Sequence, residues 1–211
     1  MEAKNKIFTD EGVSRFLEFL TRIKDETYPE YPMEVHEKIS NQVIDKIVKE
    51  LRLPAYSKIL DVGCGQGLAL KRFTDYGLSP IGITLNETDL KVCKKNGYEV
   101  YMMDQSFLRF GDSEFDLLWA RHVLEHSVFP FYTLHEYKRV LKKNAVLYVE
   151  VPGAETDAVH ELNKNHYSVL TKTMWKALFE RAGFTIILDA SIELELLQGG
   201  NDIYWPFLLK K

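Results

Sequence analysis

The chain has 211 residues, of which 45% are hydrophobic and 27% charged, the proportions of one ordinary soluble domain rather than of a disordered or fibrous protein. Its net charge of −4 argues against a broadly basic phosphate-binding surface, so nucleic acid is not an expected partner. No apolar run reaches the length of a membrane span or a signal-peptide core, and Cys64 and Cys93 show no C-x-x-C spacing, so the expectation is a cytoplasmic protein with free thiols and no membrane contact.

Val13, Phe16, Leu17, Leu20 and Ile23 recur at helical steps behind the capping candidates Thr9 and Asp10, which predicts a first amphipathic helix. The Tyr28-Pro29-Glu30-Tyr31-Pro32 stretch cannot continue it and reads either as a connector packed by its aromatics or as a substrate contact. A second helix follows from Val35 to Leu51, stopped near Pro54. Residues 1–55 are thus an N-terminal helical segment, and 56–211 the main domain.

Residues 58–62, KILDV, have the composition of a buried strand. They run into Gly63, Gly65 and Gly67, after which Leu68 to Phe73 return to helix formers. Such a strand, glycine turn and helix place backbone against a ligand at the carboxyl edge of a parallel sheet. The dinucleotide fingerprint G-x-G-x-x-G would need glycine at position 68, where Leu68 stands.

The pattern D-V-G-C-G-Q-G resembles motif I of the class I S-adenosylmethionine (SAM) dependent methyltransferases. That resemblance, extending from about residue 56 to 209, implies a doubly wound α/β fold with a seven-stranded, mostly parallel sheet of order 3-2-1-4-5-7-6, the last strand antiparallel. It implies SAM as cofactor, held by Asp61 at the strand end and by Gly63, Cys64, Gly65 and Gly67. It also implies that the N-terminal helices form a lid over the cofactor cleft.

Pro80 to Ile83 form the next predicted strand, followed by Thr84-Leu85-Asn86 and a helix from Glu87 to Asn96. In most members of the resembling family the residue in Thr84's place is an acid that binds the ribose hydroxyls. A threonine hydroxyl carries no charge, so ribose binding is expected to be weaker or shared with Asn86 or Glu87. Glu99 to Met102 make a third strand, and by resemblance Asp104, with Gln105 beside it, reads the adenine. Phe115 to Ala120 is a continuous apolar run apart from Asp116 and is expected to be a central strand, with Ala120 and Arg121 at its cofactor end.

Arg121-His122-Val123-Leu124-Glu125-His126 carries the densest chemistry in the chain. If it starts a helix, His122, Glu125 and His126 share one face. Three readings stay open: a structural helix start, a general base on the methyl acceptor, or a divalent metal site completed by His160 or His166. Helix 132–141, a turn at Lys142-Lys143-Asn144 and strand 145–151 follow, Asn144 standing where the resembling family has glycine. The polar loop 153–170 supplies His166 and Tyr167 as acceptor-side candidates beside His122 and His126. A helix around Trp175 capped by Thr171 or Thr173, a strand 184–188, and a last strand Asp202 to Leu209, broken or bulged at Pro206, close the chain.

The function implied is transfer of a methyl group from SAM to an O, N or C atom of a small-molecule acceptor by in-line displacement. The alternatives are a metal-assisted O-methyltransferase using His122, Glu125 and His126, and a SAM- or nucleotide-binding module without transfer activity.

Overall fold

The structure is a computed structural model that describes residues 9–25, 27–29, 31, 33–196 and 199–211; Glu30 and Pro32 of the YPEYP stretch lie outside the described residues. Helix α1 spans Asp10–Asp25, and Thr9 caps it by accepting the Gly12 N–H at 3.1 Å. Helix α2, Glu34–Leu51, ends where Arg52 turns left-handed. Strands and helices then alternate: β1 (Lys58–Val62), α3 (Leu68–Asp75), β2 (Ser79–Thr84), α4 (Glu87–Lys95), β3 (Val100–Met102), β4 (Phe115–Arg121), α5 (Pro130–Val140), β5 (Leu141–Pro152) and α6 (Lys172–Arg181). Three strands finish the chain: β6 (Thr185–Asp189), β7 (Ile192–Glu195) and β8 (Asn201–Lys210).

Among the described residues the sheet has eight strands in the order β3-β2-β1-β4-β5-β8-β6, with β7 also paired to β8. Strands β3 to β5 run parallel and β8 runs antiparallel to β5, β6 and β7. This is the expected seven-strand order with the edge strand divided in two. Pro206 explains the division and corrects one expectation. Strand β8 runs unbroken through Pro206, which pairs with Glu150 of β5. In an antiparallel ladder a residue's N and O point to the same neighbour; the Pro206 carbonyl accepts the Ala190 N–H, so the missing proline donor faces the outer edge. The interruption therefore falls there, between β6 and β7.

Strand β4 is buried on both faces, as its apolar run requires. Leu118 and Ala120 pack with Leu134, Tyr137, Trp175 and Phe179 of α5 and α6. Leu117 and Trp119 face the other way, onto Phe73 of α3 and Ile44 and Ile47 of α2. Burying these two isoleucines stabilises the α2 contact by roughly 1.5–3 kcal/mol each. Arg72 of α3 adds a two-pronged ion pair to Asp45 of α2, at 2.7 Å on both prongs. Both cysteines are buried and free.

Two local departures matter for the site. The segment after β4 is not a helix start: His122 takes up φ 52°, and only a single 3-10 turn, Leu124–His126, follows. Strand β5 begins directly after α5, with Asn144 left-handed at φ 63° in the place expected for glycine.

Candidate active site

A cleft opens at the carboxyl ends of β1, β2, β3 and β4, where a parallel sheet collects its loop backbone. It has two lobes that meet at Gly63, Gly65, His122 and His126. The first lobe, about 790 Å³ counting the space open to solvent, runs along the ends of β2 and β3 past Thr84, Leu85, Asn86, Asp104 and Gln105. Ile23 of α1, with Thr27 and Tyr28, forms its N-terminal wall. Phe16 places α1 there by packing on Phe107 and Phe129.

Gly63 and Gly65 line the lobe with φ of 68° and 49°. A Cβ on Gly63 would come within 2.7 Å of Val123 Cγ2, so the β1 turn and the loop after β4 close on each other only without a side chain. Gly67 is different. It starts α3 at φ 92°, and a Cβ there would meet Tyr98 at 3.0 Å and Cys93 Sγ at 3.2 Å, so it serves helix packing and lines neither lobe. The thiol of Cys64 packs with Leu70, Cys93 and Val100, and its amide donates to Ile83 O, so its contribution is to turn the chain.

The expected ribose and adenine residues divide similarly. The Thr84 hydroxyl accepts the Asn86 N–H at 3.0 Å, and Asn86 caps α4 by accepting from Thr88 and Asp89. A buried carboxyl group, Asp89, lines the lobe from the first turn of α4. Asp104 is buried enough to raise its pKa, and one of its oxygens accepts the Ser106 N–H. Gln105 is committed at both ends, donating to Val123 O at 2.7 Å and accepting from Tyr137 at 2.6 Å, so it is a strut under the cavity. Ala120 is fully buried between Val62 and Val149 and lines neither lobe.

The second lobe, about 1360 Å³ by the same measure, is walled by Tyr28, Met33 and His36 of the N-terminal segment, by Asp61, and by the imidazoles of His122, His126, His160 and His166. Arg121, expected at the cofactor, points into this lobe; its Nε lies 2.8 Å from Glu150 and its two terminal nitrogens lie 3.2 Å from His36 Nδ1. The fully buried Glu150 also receives His122 Nε2 at 2.9 Å and the Tyr148 hydroxyl. Burial pushes the Glu150 carboxyl up, but these partners outweigh it and hold its pKa at about 2. Burial drives His122 the other way, to about 4, with Glu150 opposing and Arg121 and His36 adding to the drop. The imidazole is therefore neutral at working pH.

His126 and His166 are neutral for a related reason. Burial lowers both, His166 to about 4 with the repulsion of His126 and His160 added. Each ring sets Nδ1 against a backbone carbonyl, His126 on Asn165 O at 2.9 Å and His166 on His160 O at 3.0 Å. A carbonyl only accepts, so both rings carry the Nδ1 proton and keep the Nε2 lone pair. Ligand atoms of Glu125, His126 and His166 lie within 4.8 Å of one another. The triad expected from a helical face, with His122 as a member, is thus corrected. The left-handed turn carries His122 away toward Glu150, and the loop returns His166 in its place. Tyr167 lines the first lobe and not the second.

Glu150, His36 and Asp89 are the side chains that sequence reasoning missed. Glu150 sits inside an apolar strand and His36 on a helix read only for its apolar face, so no local signal pointed to either. Asp89 had one: an acid in the first turn of the helix that opens at the ligand edge.

Fold and cleft together define an α/β protein with a ligand site at the carboxyl edge of its sheet. The family model described as "Methyltransferase domain" matches residues 35–188, and the chain belongs to this family, the class I SAM-dependent methyltransferases. It is 26% identical over 165 residues to 27-O-demethylrifamycin SV methyltransferase of Amycolatopsis mediterranei, covering 70% of this chain and 61% of that protein. It is 24% identical over 167 residues to the ubiquinone biosynthesis O-methyltransferase of Pasteurella multocida, covering 72% and 59%. The chain thus matches about three fifths of the length of these curated relatives. Among solved structures, a SAM-dependent methyltransferase from Methanosarcina mazei superposes with TM-score 0.66 at 19% identity, covering 87% of this chain and 99% of that one. The [4+2]-cyclase SpnF superposes with TM-score 0.67 at 16% identity, covering 96% of each chain. At such identities the likeness is one of fold.

SAM fits the first lobe. Its described lining includes the carboxylates Asp89 and Asp104 and no lysine or arginine, which suits a cationic cofactor and not a pyrophosphate.

Proposed function

We propose that this protein methylates a hydroxyl oxygen of an uncharged small molecule, with SAM in the first lobe and the acceptor in the second. The observation that carries the reading is the junction: glycine backbone on one side and the neutral imidazole of His122 on the other, at the point where the lobes meet. Bound SAM supplies an electrophilic methyl group. Gly63 and Gly65 admit it closely, Asp89 is the side chain to hold the ribose hydroxyls, and Asp104 the one to read the adenine amino group. The protein's main task is placement, worth about 7–11 kcal/mol when two reactants are held in line. His122 receives the acceptor proton, and Glu125, 3.9 Å from its Nδ1, favours the charge that this creates. Arg121 is the one cation among the described residues of the second lobe, and Glu150 neutralises it, so the lobe does not call for an anionic acceptor.

The test has two stages. Calorimetry should show SAM and S-adenosylhomocysteine binding and no NADH binding; the reverse pattern would end the reading. Incubation with methyl-labelled SAM and a panel of neutral phenols and alcohols should then yield labelled ethers, whereas binding without transfer to any acceptor would favour the module reading.

A metal-assisted reaction is a second reading, supported by the convergence of Glu125, His126 and His166. The Nε2 atoms of the two histidines carry the lone pairs, that of His166 accepting from Asn163 Nδ2 at 3.2 Å. Those three residues would hold a divalent ion, which would supply Lewis acidity to the acceptor oxygen.

A further inference from the structure

We propose that Glu150 is the positioning residue of the reaction: it takes the Nε2 proton of His122, holds the ring in that tautomer and so presents the Nδ1 lone pair to the junction of the two lobes. This rests on the reading of His122 as proton acceptor. Glu150 grips His122 at two points, accepting its backbone N–H through the carbonyl oxygen at 2.8 Å and its Nε2–H through Oε1 at 2.9 Å. Both bonds fall on a residue in the left-handed region, His122 at φ 52°, a conformation uncommon outside glycine. An ionised carboxylate can only accept. Nε2 is therefore the protonated nitrogen, and the neutral ring has its lone pair on Nδ1.

The rest of the surroundings hold Glu150 in turn. Arg121 Nε reaches the same Oε1 at 2.8 Å, and the Tyr148 hydroxyl donates to Oε2. Tyr204 stands edge-on to the His122 ring at 4.3 Å between centroids, and His36 at 5.8 Å, so both rings pack against the imidazole. Were Glu150 no more than the counter-ion of Arg121, the tautomer of His122 would not depend on it.

Nitrogen-15 NMR of the full chain at pH 7.5 reads the tautomer directly, with His122 assigned by its loss in His122→Gln. The wild type should show a protonated Nε2 and an unprotonated Nδ1. In Glu150→Gln, whose amide can either donate or accept, the two nitrogens should move toward averaged shifts, and Glu150→Asp should restore the wild-type pattern at least in part. A protonated Nδ1 in the wild type, or a pattern unchanged in Glu150→Gln, would overturn the proposal; the wild-type and Gln spectra decide it, and Glu150→Leu, if it folds, should give the same answer as Gln. Turnover with catechol as the acceptor probe separates the two readings. If Glu150→Gln shifts the tautomer and lowers kcat roughly 10²-fold at unchanged KM, both stand. If the tautomer shifts and kcat does not, Glu150 still positions His122, and the reading of His122 as base is the one that fails.

Discussion

Asp89→Asn is the substitution that most sharply tests where the cofactor's ribose is held. Asp89 is 2% exposed on the first turn of α4 and lines the first lobe, whereas Thr84 at the strand end carries no charge and its hydroxyl accepts the Asn86 N–H. Hydrogen bonds to a charged group are worth about 1.5–3 kcal/mol, so neutralising Asp89 should raise the Kd for S-adenosylhomocysteine about 10- to 150-fold. Thr84→Val should change it less than about threefold, while losing about 1 kcal/mol of stability with the turn bond. Titration calorimetry with S-adenosylhomocysteine and with adenosine measures the first effect. Both ligands carry the ribose, so both should lose the same factor. Losing its charge near a helix N-terminus also costs Asp89→Asn about 0.3–1 kcal/mol of stability, read separately as Tm. An Asp89→Asn protein that binds within twofold of the wild type, or a Thr84→Val protein that loses more than it, would refute the assignment.

Gly67→Ala should lower Tm through its positive φ and its crowding against Tyr98, with S-adenosylhomocysteine affinity of the folded protein unchanged; Gly65→Val should abolish that affinity. His122 and His166 are held at about 4 in the fold, below their ordinary 6.5, so the unfolded chain binds more protons between those values. Stability should therefore be lost as pH falls from 6.5 toward 4, by at most about 3 kcal/mol per group, and the urea midpoint should follow, less steeply in His122→Gln. Glu150, held at about 2 against an ordinary 4.5, contributes stability that is present above 4.5 and lost below it. If the metal reading holds, protein purified with zinc or manganese should carry about one ion by elemental analysis, and His166→Ala should lose it while His122→Ala keeps it.

Local pattern reached far into this molecule where backbone alone does the work. The KILDV run, the glycines after it and the left-handed Asn144 announce themselves because strands, tight turns and φ > 0 are demands of a few consecutive residues. The same logic failed at Gly67, which looked like its two neighbours but answers to Tyr98 across a helix contact. It failed at Pro206 as well, since which strand a missing N–H disturbs depends on which side of the ladder it faces.

Sequence by itself determined the α/β alternation, the strand at which the cleft opens and the family to which the chain belongs, all of which are set by periodicity and by spacing over short distances. Tertiary structure decided the chemistry inside the cleft. His122 was drawn to Glu150, 28 residues away on the neighbouring strand, and His166 to Glu125 by a loop with no periodicity to read. Side chains that meet through sheet register and loop return carry no mark of one another along the chain, so only the folded geometry could pair them.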